Sequence, residues 1–497
     1  MKETSIRALG ALMASGELTS RKLTEYYLDR IEAVDQAGHR INAVIEVNPE
    51  AMAIARARDR EMRRGKVRGP LHGIPILIKD NIDTRDRMQT TAGSLALQGW
   101  HARRDAFIVR QLRAAGAVLL GKANLSEWAN FRGTHSVSGW SSRGGLTRNP
   151  YALNRTACGS SSGSAAAVAA SLCAASVGTE TDGSIICPSQ SCGVVGLKPT
   201  LGLLSRSGII PIAASQDTAG PIGRTVEDVA LMLGAMTGID RSDRATAAAR
   251  KYYWRDYTAF LRKDALRGAR IGVARNMLGS DGRLIAVIDH ALGLMKQMGA
   301  VVIDPADLPH FNQFADSELE VLHTEFKAGL NRYLRGVSRK LPVHSLADVI
   351  RFNEANRQQV MPYFGQERML VAQEKGPLTD KSYRRALKRN HRLARQQGID
   401  ALLRRKRLEA IVVASGGPAW TIDLANGDAL SWDLESTSPA AVAGYPHITV
   451  PAGEVMGLPV GISFFAGAWS EPILLGLAYA FEQASQARVP PRYHRLI

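Results

Sequence analysis

Apolar residues recur along the chain in two alternating rhythms. Near the N-terminus the rhythm is helical: Leu23, Tyr27 and Ile31 form one stripe, and Ser20 ahead of them is a residue type that caps helices. A second helix is expected from about 51 to 62. Gly69-Pro70 and Gly73-Ile74-Pro75 then break the pattern and lead into Ile76-Leu77-Ile78, a short apolar run that reads as a buried strand. Residues 107–115 predict a helix stopped by Gly116, followed by the strand Val118-Leu119-Leu120. The alternation continues with helix 164–172, strand 174–177, helix 226–236, strand 270–274, helix 284–298 and strand 301–303. Such alternation predicts an α/β architecture with a covered sheet.

From about 310 to 407 the strand rhythm vanishes and charged helical patterns dominate. Sheet-like residues resume at Ile411-Val412-Val413, so this stretch is expected to be a helical insertion or flank. The segment 444–463 is rich in Gly, Pro and β-branched residues, and 472–483 returns to helix.

Composition adds a sizeable core, with 45% hydrophobic residues in 497. The chain has no apolar run long enough to span a bilayer, so no membrane span is expected. The N-terminal stretch lacks the apolar centre of a signal peptide and reads as an amphipathic helix, which predicts a cytoplasmic location. The formal charge of +17 raises nucleic acid as a partner. The basic residues are dispersed, however, except between 381 and 407. There Tyr383, Leu387 and Ala394 fall near helical spacing, as in an amphipathic helix with a basic, solvated outer face. No nucleic-acid motif accompanies it, so no nucleic acid is required. Cys158, Cys173, Cys187 and Cys192 include no C-x-x-C pair and no metal-ligand spacing. They are expected to be small buried hydrophobes without disulfides, which suits a reducing compartment. No metal and no cofactor are expected.

Chemistry concentrates in three segments. Cys158-Gly159-Ser160-Ser161-Ser162-Gly163-Ser164 formally matches the G-x-S-x-G nucleophile elbow, but no strand precedes it, and a Ser/Gly loop capping the next helix is the plain alternative. In Gly178-Thr179-Glu180-Thr181-Asp182-Gly183-Ser184, a tight loop after a strand can aim successive backbone N–H groups into one cavity, where they would stabilise an acyl-transfer oxyanion. Asp182 must then point away from that oxyanion. Ser184 at the end of such a loop is a nucleophile candidate that needs a base. Lys79, in Ile76-Leu77-Ile78-Lys79-Asp80-Asn81, follows three apolar residues. Burial there would lower its pKa and free a neutral amine, whereas pairing with Asp80 would make it an ordinary ion pair. Spacing alone leaves both open.

Together with Leu458-Pro459-Val460-Gly461, these segments resemble the amidase signature family, over roughly residues 23–483 and least between 310 and 407. The resemblance implies a large mixed β-sheet covered on both faces by helices, one domain over 1–497. It implies a Ser–Ser–Lys triad: Ser184 as nucleophile, Ser160 as the bridging serine after a cis Gly159–Ser160 bond, and Lys79 as base. The N–H groups of Thr181, Asp182, Gly183 and Ser184 would form the oxyanion hole, with Ser161 and Thr179 as supports. Trp128 and Phe131 either line the acyl pocket or pack in the core. His72 and His135 have no assigned role. Two departures bear on substrate: Asp182 stands where the family usually has glycine, and Ile186 where it usually has arginine. Losing that arginine argues against substrates whose acid group it would meet. The Thr-Glu-Thr-Asp-Gly-Ser form is similar to the bacterial peptide amidase branch, which removes C-terminal peptide amides. The expected activity is hydrolysis of a linear, neutral carboxamide, the partner being a small-molecule or peptide amide. Aryl-amide, ester or carbamate hydrolysis on the same triad, and the amidotransferase subunit that supplies ammonia for charged tRNA, are the alternatives.

Overall fold

The structure, a computed structural model, describes residues 1–429 and 436–497. Thirteen strands are present among them: β1 (Val44–Val47), β2 (Pro75–Lys79), β3 (Val118–Ala123), β4 (Trp140–Ser141), β5 (Gly145–Leu146), β6 (Ala175–Glu180), β7 (Val195–Lys198), β8 (Thr218–Gly223), β9 (Arg270–Val273), β10 (Val301–Ile303), β11 (Ala410–Ala414), β12 (His447–Val455) and β13 (Leu458–Phe465). Eleven form one mixed sheet in the order β1-β3-β2-β6-β8-β7-β12-β13-β11-β9-β10, and β4 and β5 form a separate ribbon. β2 lies parallel to both β3 and β6, whereas β6 and β8 are antiparallel.

Both faces of the sheet are covered. Gly178 faces the Ser161 side chain at the start of helix Ser162–Ala169. Gly223 pairs with Ala175, which has the opposite parity along β6, and faces Asp228 and Val229 on helix Val226–Met236. Side chains alternate along a strand, so the two helices lie on opposite faces. Every residue of β2, β3, β6, β7, β8 and β11 is accordingly buried.

The expected helices and strands form with ends shifted by a few residues, and two corrections have physical causes. Thr19, not Ser20, caps the helix Ser20–Arg30: its hydroxyl accepts from Lys22 N, while Ser20 Oγ donates to the Gly73 carbonyl at 2.8 Å. β6 extends to Glu180, since Thr179 and Glu180 pair with Ala219 and Thr218, so the loop before Ser184 is shorter than expected. β8 carries Gly220, Pro221 and Gly223, a composition that reads as a turn. Gly220 is needed there because a Cβ would lie 2.0 Å from the Leu197 carbonyl oxygen.

Between 310 and 407 all elements are helical, the longest being Ala315–Leu334. Phe326, Leu330 and Leu334 of that helix share an apolar cluster with Trp128, Phe131, Ile210 and Ile212. Helix Lys381–His391 buries Tyr383, Ala386 and Asn390 and exposes Arg384, Arg385, Lys388 and Arg389. No helix among the described residues is long and apolar enough to cross a membrane.

Candidate active site

Lys79 is the last residue of β2, and its parallel neighbour β6 ends beside it at Glu180. Three apolar residues ahead of it draw the strand into the core, leaving the ammonium with no solvent exposure. Its Nζ reaches Ser160 Oγ at 2.8 Å, Ser161 Oγ at 2.9 Å, Thr179 Oγ1 at 2.9 Å and the Thr179 carbonyl at 3.1 Å. Burial pushes its pKa down to about 7, against the opposing fields of Glu180 and Asp217. Asp80 is not its ion-pair partner: that carboxylate accepts from Thr91 and Gly93 and faces Arg143.

The Gly159–Ser160 bond is cis, and both Ser160 and Ser161 are fully buried. Ser161 Oγ donates to the Thr179 carbonyl at 3.0 Å and accepts from Thr179 N at 3.2 Å. The two serine segments meet directly where Ser161 N donates to the Ser184 carbonyl at 3.1 Å. Ser184 keeps 8% exposure, so among these three groups it is the one open to a ligand.

Between Glu180 and Ser184 the chain makes a turn, with Gly183 at φ +74° in the left-handed region. Among the described residues, the N–H groups of Thr181, Asp182, Gly183 and Ser184 donate to no protein acceptor. A buried turn with several free donors is suited to an anionic oxygen. Asp182 does not oppose this: its two carboxylate oxygens accept from Thr437 Oγ1 at 2.6 Å and Ser438 Oγ at 2.5 Å. Glu180 Oε2 accepts from Ile185 N at 2.7 Å and Ile186 N at 3.0 Å, holding the chain just after Ser184. Thr181 Oγ1 donates to Asp217, whose other oxygen accepts from Ile212 N and Ala213 N.

A cleft of about 260 Å³ opens beside this group, lined in part by Asn81, Ala129, Thr179, Thr181, Asp217 and Arg332. Trp128 and Phe131 pack into the apolar cluster shared with Phe326, and Ala129 between them lines the cleft. Trp128, Ala129 and Asn130 all have positive φ, so the backbone turns sharply there. No cluster of metal-ligating side chains occurs among the described residues.

The cysteines require a correction. Cys158 and Cys187 form a disulfide joining the segment before Ser160 to the helix after Ser184, while Cys173 and Cys192 are free and buried as expected. The pair lies 29 residues apart in sequence and becomes adjacent only because the two serine segments do. A reducing compartment therefore no longer follows from the cysteines.

The sequence profile of the amidase family matches residues 22–475. The chain belongs to the amidase family. Among solved structures it is similar to native peptide amidase from Stenotrophomonas maltophilia, with TM-score 0.95, 51% identity and 99% of each chain covered. A probable amidase of Arabidopsis thaliana is 41% identical over 99% of this chain and 92% of its own length. A glutamyl-tRNA(Gln) amidotransferase subunit from Halorhodospira halophila is 35% identical over 98% of each. As an amidase-family enzyme the chain is a hydrolase of C–N bonds in linear amides.

Sequence reasoning did not single out Asn81, whose Nδ2 donates to Thr179 Oγ1 at 3.0 Å, or Asp217. Asn81 stands two residues after Lys79, which is a local signal. Thr437 and Ser438, some 255 residues from Asp182, carry no signal in the sequence.

Proposed function

We propose that this enzyme hydrolyses the C-terminal carboxamide of peptides, or a closely related neutral amide, to the acid and ammonia. Neutral Lys79 accepts the Ser160 proton as Ser160 accepts that of Ser184. Ser184 Oγ then bonds to the amide carbon, and the oxyanion forms against the N–H groups of residues 181–184. The C–N bond breaks as the relayed proton reaches the leaving nitrogen. Water, deprotonated through the same relay, attacks the acyl-enzyme and releases the acid. Ser161 and Thr179 hold Lys79 in place. The cleft beside Thr181 receives the remainder of the substrate, and no nucleic acid takes part.

The observation that carries this choice of substrate is Asp182, clasped by Thr437 and Ser438 in the turn before Ser184. It occurs in a chain 51% identical, end to end, to a peptide amidase. The amidotransferase subunit is the second reading, favoured by its 35% identity over almost the whole chain. Purified enzyme is offered peptide amides, aryl amides, glutamine, esters and carbamates, with and without added tRNA. The peptide amide is expected to turn over fastest, with no effect of tRNA. Glutamine hydrolysis dependent on tRNA or a co-purifying subunit would favour the second reading, and ester or carbamate turnover exceeding all amides would displace both.

A further inference from the structure

Three lysines are fully buried in the sheet, Lys79, Lys122 and Lys198, and the relay uses only the first. Lys198, the last residue of β7, is fully buried, and among the described residues its Nζ donates only to the Pro199 carbonyl at 3.1 Å. Such an ammonium needs a compensating anion nearby. The carboxylates acting on it are those of Glu180, Glu471 and Asp182, with Glu180 the strongest. Glu471 is engaged by Thr200 N at 2.6 Å, and Asp182 by Thr437 and Ser438. Glu180 differs. Its Oε2 holds the N–H groups of Ile185 and Ile186, and its Oε1 is buried with no hydrogen-bond partner among the described residues. On the other side of Lys198, its cross-strand neighbour His447 is buried with neither ring nitrogen bonded among the described residues. Burial and the charge of Lys198 keep that ring neutral, its pKa falling to about 3. Lys198 is therefore the cation that acts on Glu180 from this side.

We propose that Lys198 is a positioning residue for the nucleophile: its charge keeps Glu180 anionic, and anionic Glu180 holds the backbone that sets Ser184. The inference rests on Ser184 being the nucleophile. A protonated Glu180 would hold Ile185 and Ile186 less tightly, and Ser184, one residue upstream, would lose its alignment with the oxyanion turn. Lys79 also feels Glu180, so the same carboxylate links the base to the nucleophile turn.

The dependence has a pH signature. Burial lowers the Lys198 pKa to about 8, with Glu180, Glu471 and Asp182 opposing the fall. Above that pH Lys198 loses its charge, so kcat should fall on the alkaline side of the optimum.

The test is a double-mutant cycle of Lys198→Met and Glu180→Gln, with kcat and KM followed from pH 5 to 10 and thermal melting as a check on folding. Lys198→Met should lower kcat roughly 10–100-fold with little change in KM. In the Glu180→Gln background the same change should cost less than about threefold, because no anion is left to maintain. The alkaline fall in kcat should disappear in Glu180→Gln alone, a result that needs no Lys198 variant to fold. Equal losses in both backgrounds, a wild-type kcat in folded Lys198→Met, or an alkaline limb that persists in Glu180→Gln would overturn the proposal. Full activity in Ser184→Ala would instead overturn the nucleophile assignment on which it rests.

Discussion

Lys79 has four acceptors within 3.1 Å and no contact with water. Desolvation is the largest influence on it, and it favours the neutral amine. Lys79→Ala should therefore lower kcat by about 10²–10⁴-fold, the usual worth of a positioned general base, in a protein that still melts cooperatively. Ser184→Ala should abolish turnover and acyl-enzyme formation, followed by mass spectrometry with a slow ester substrate. The sign of the pH effect follows from the direction of the shift. Below about 7 Lys79 is protonated and cannot accept from Ser160, so activity should rise with pH through that value. A flat rate down to pH 4 would exclude Lys79 as the base. These three groups were legible in the chain because each stands in a short local pattern: a lysine closing an apolar run, and serines among glycines. Glu180 sat in plain view in the second pattern, but its task of holding Ile185 and Ile186 depends on a turn that only the fold closes.

At the scale of elements, the loop carrying Trp128 and Ala129 is tied to the helical region by the buried side chain of Arg132. Arg132 donates to Glu127 at 2.9 Å and to the carbonyls of Val360, Phe364 and Gly365, and its guanidinium lies 4.0 Å from the Phe364 ring centroid. Glu127 in turn accepts from Ser142 N at 2.6 Å. Both side chains are fully buried, so removing one leaves the other charge unpaired. Arg132→Met should lower stability by about 3–5 kcal/mol in urea denaturation. Long helices and fully apolar strands were readable from periodicity. β7 and β8 were not, because short strands broken by glycine or proline look like turns until a neighbouring strand pairs with them.

For the whole molecule, the order of strands brings together what the chain keeps apart. β2 and β6 are sheet neighbours although about a hundred residues separate them, and that adjacency sets Lys79 against Thr179. The same packing places Cys158 against Cys187. Titration of the denatured, unreduced protein should then find the two thiols of Cys173 and Cys192, and two more only after reduction. Four thiols without reductant would remove the disulfide.

The sequence by itself determined the alternation of helix and strand, the family resemblance and the residues proposed as nucleophile, relay and base. Those features depend on neighbours a few positions away, where side-chain period and backbone chemistry act directly. Only the tertiary structure decided which carboxylates face which lysines, that Asp182 turns toward Thr437 and Ser438, and that Cys158 meets Cys187. Burial and long-range pairing have no local period to read: they arise when the sheet assembles and water leaves.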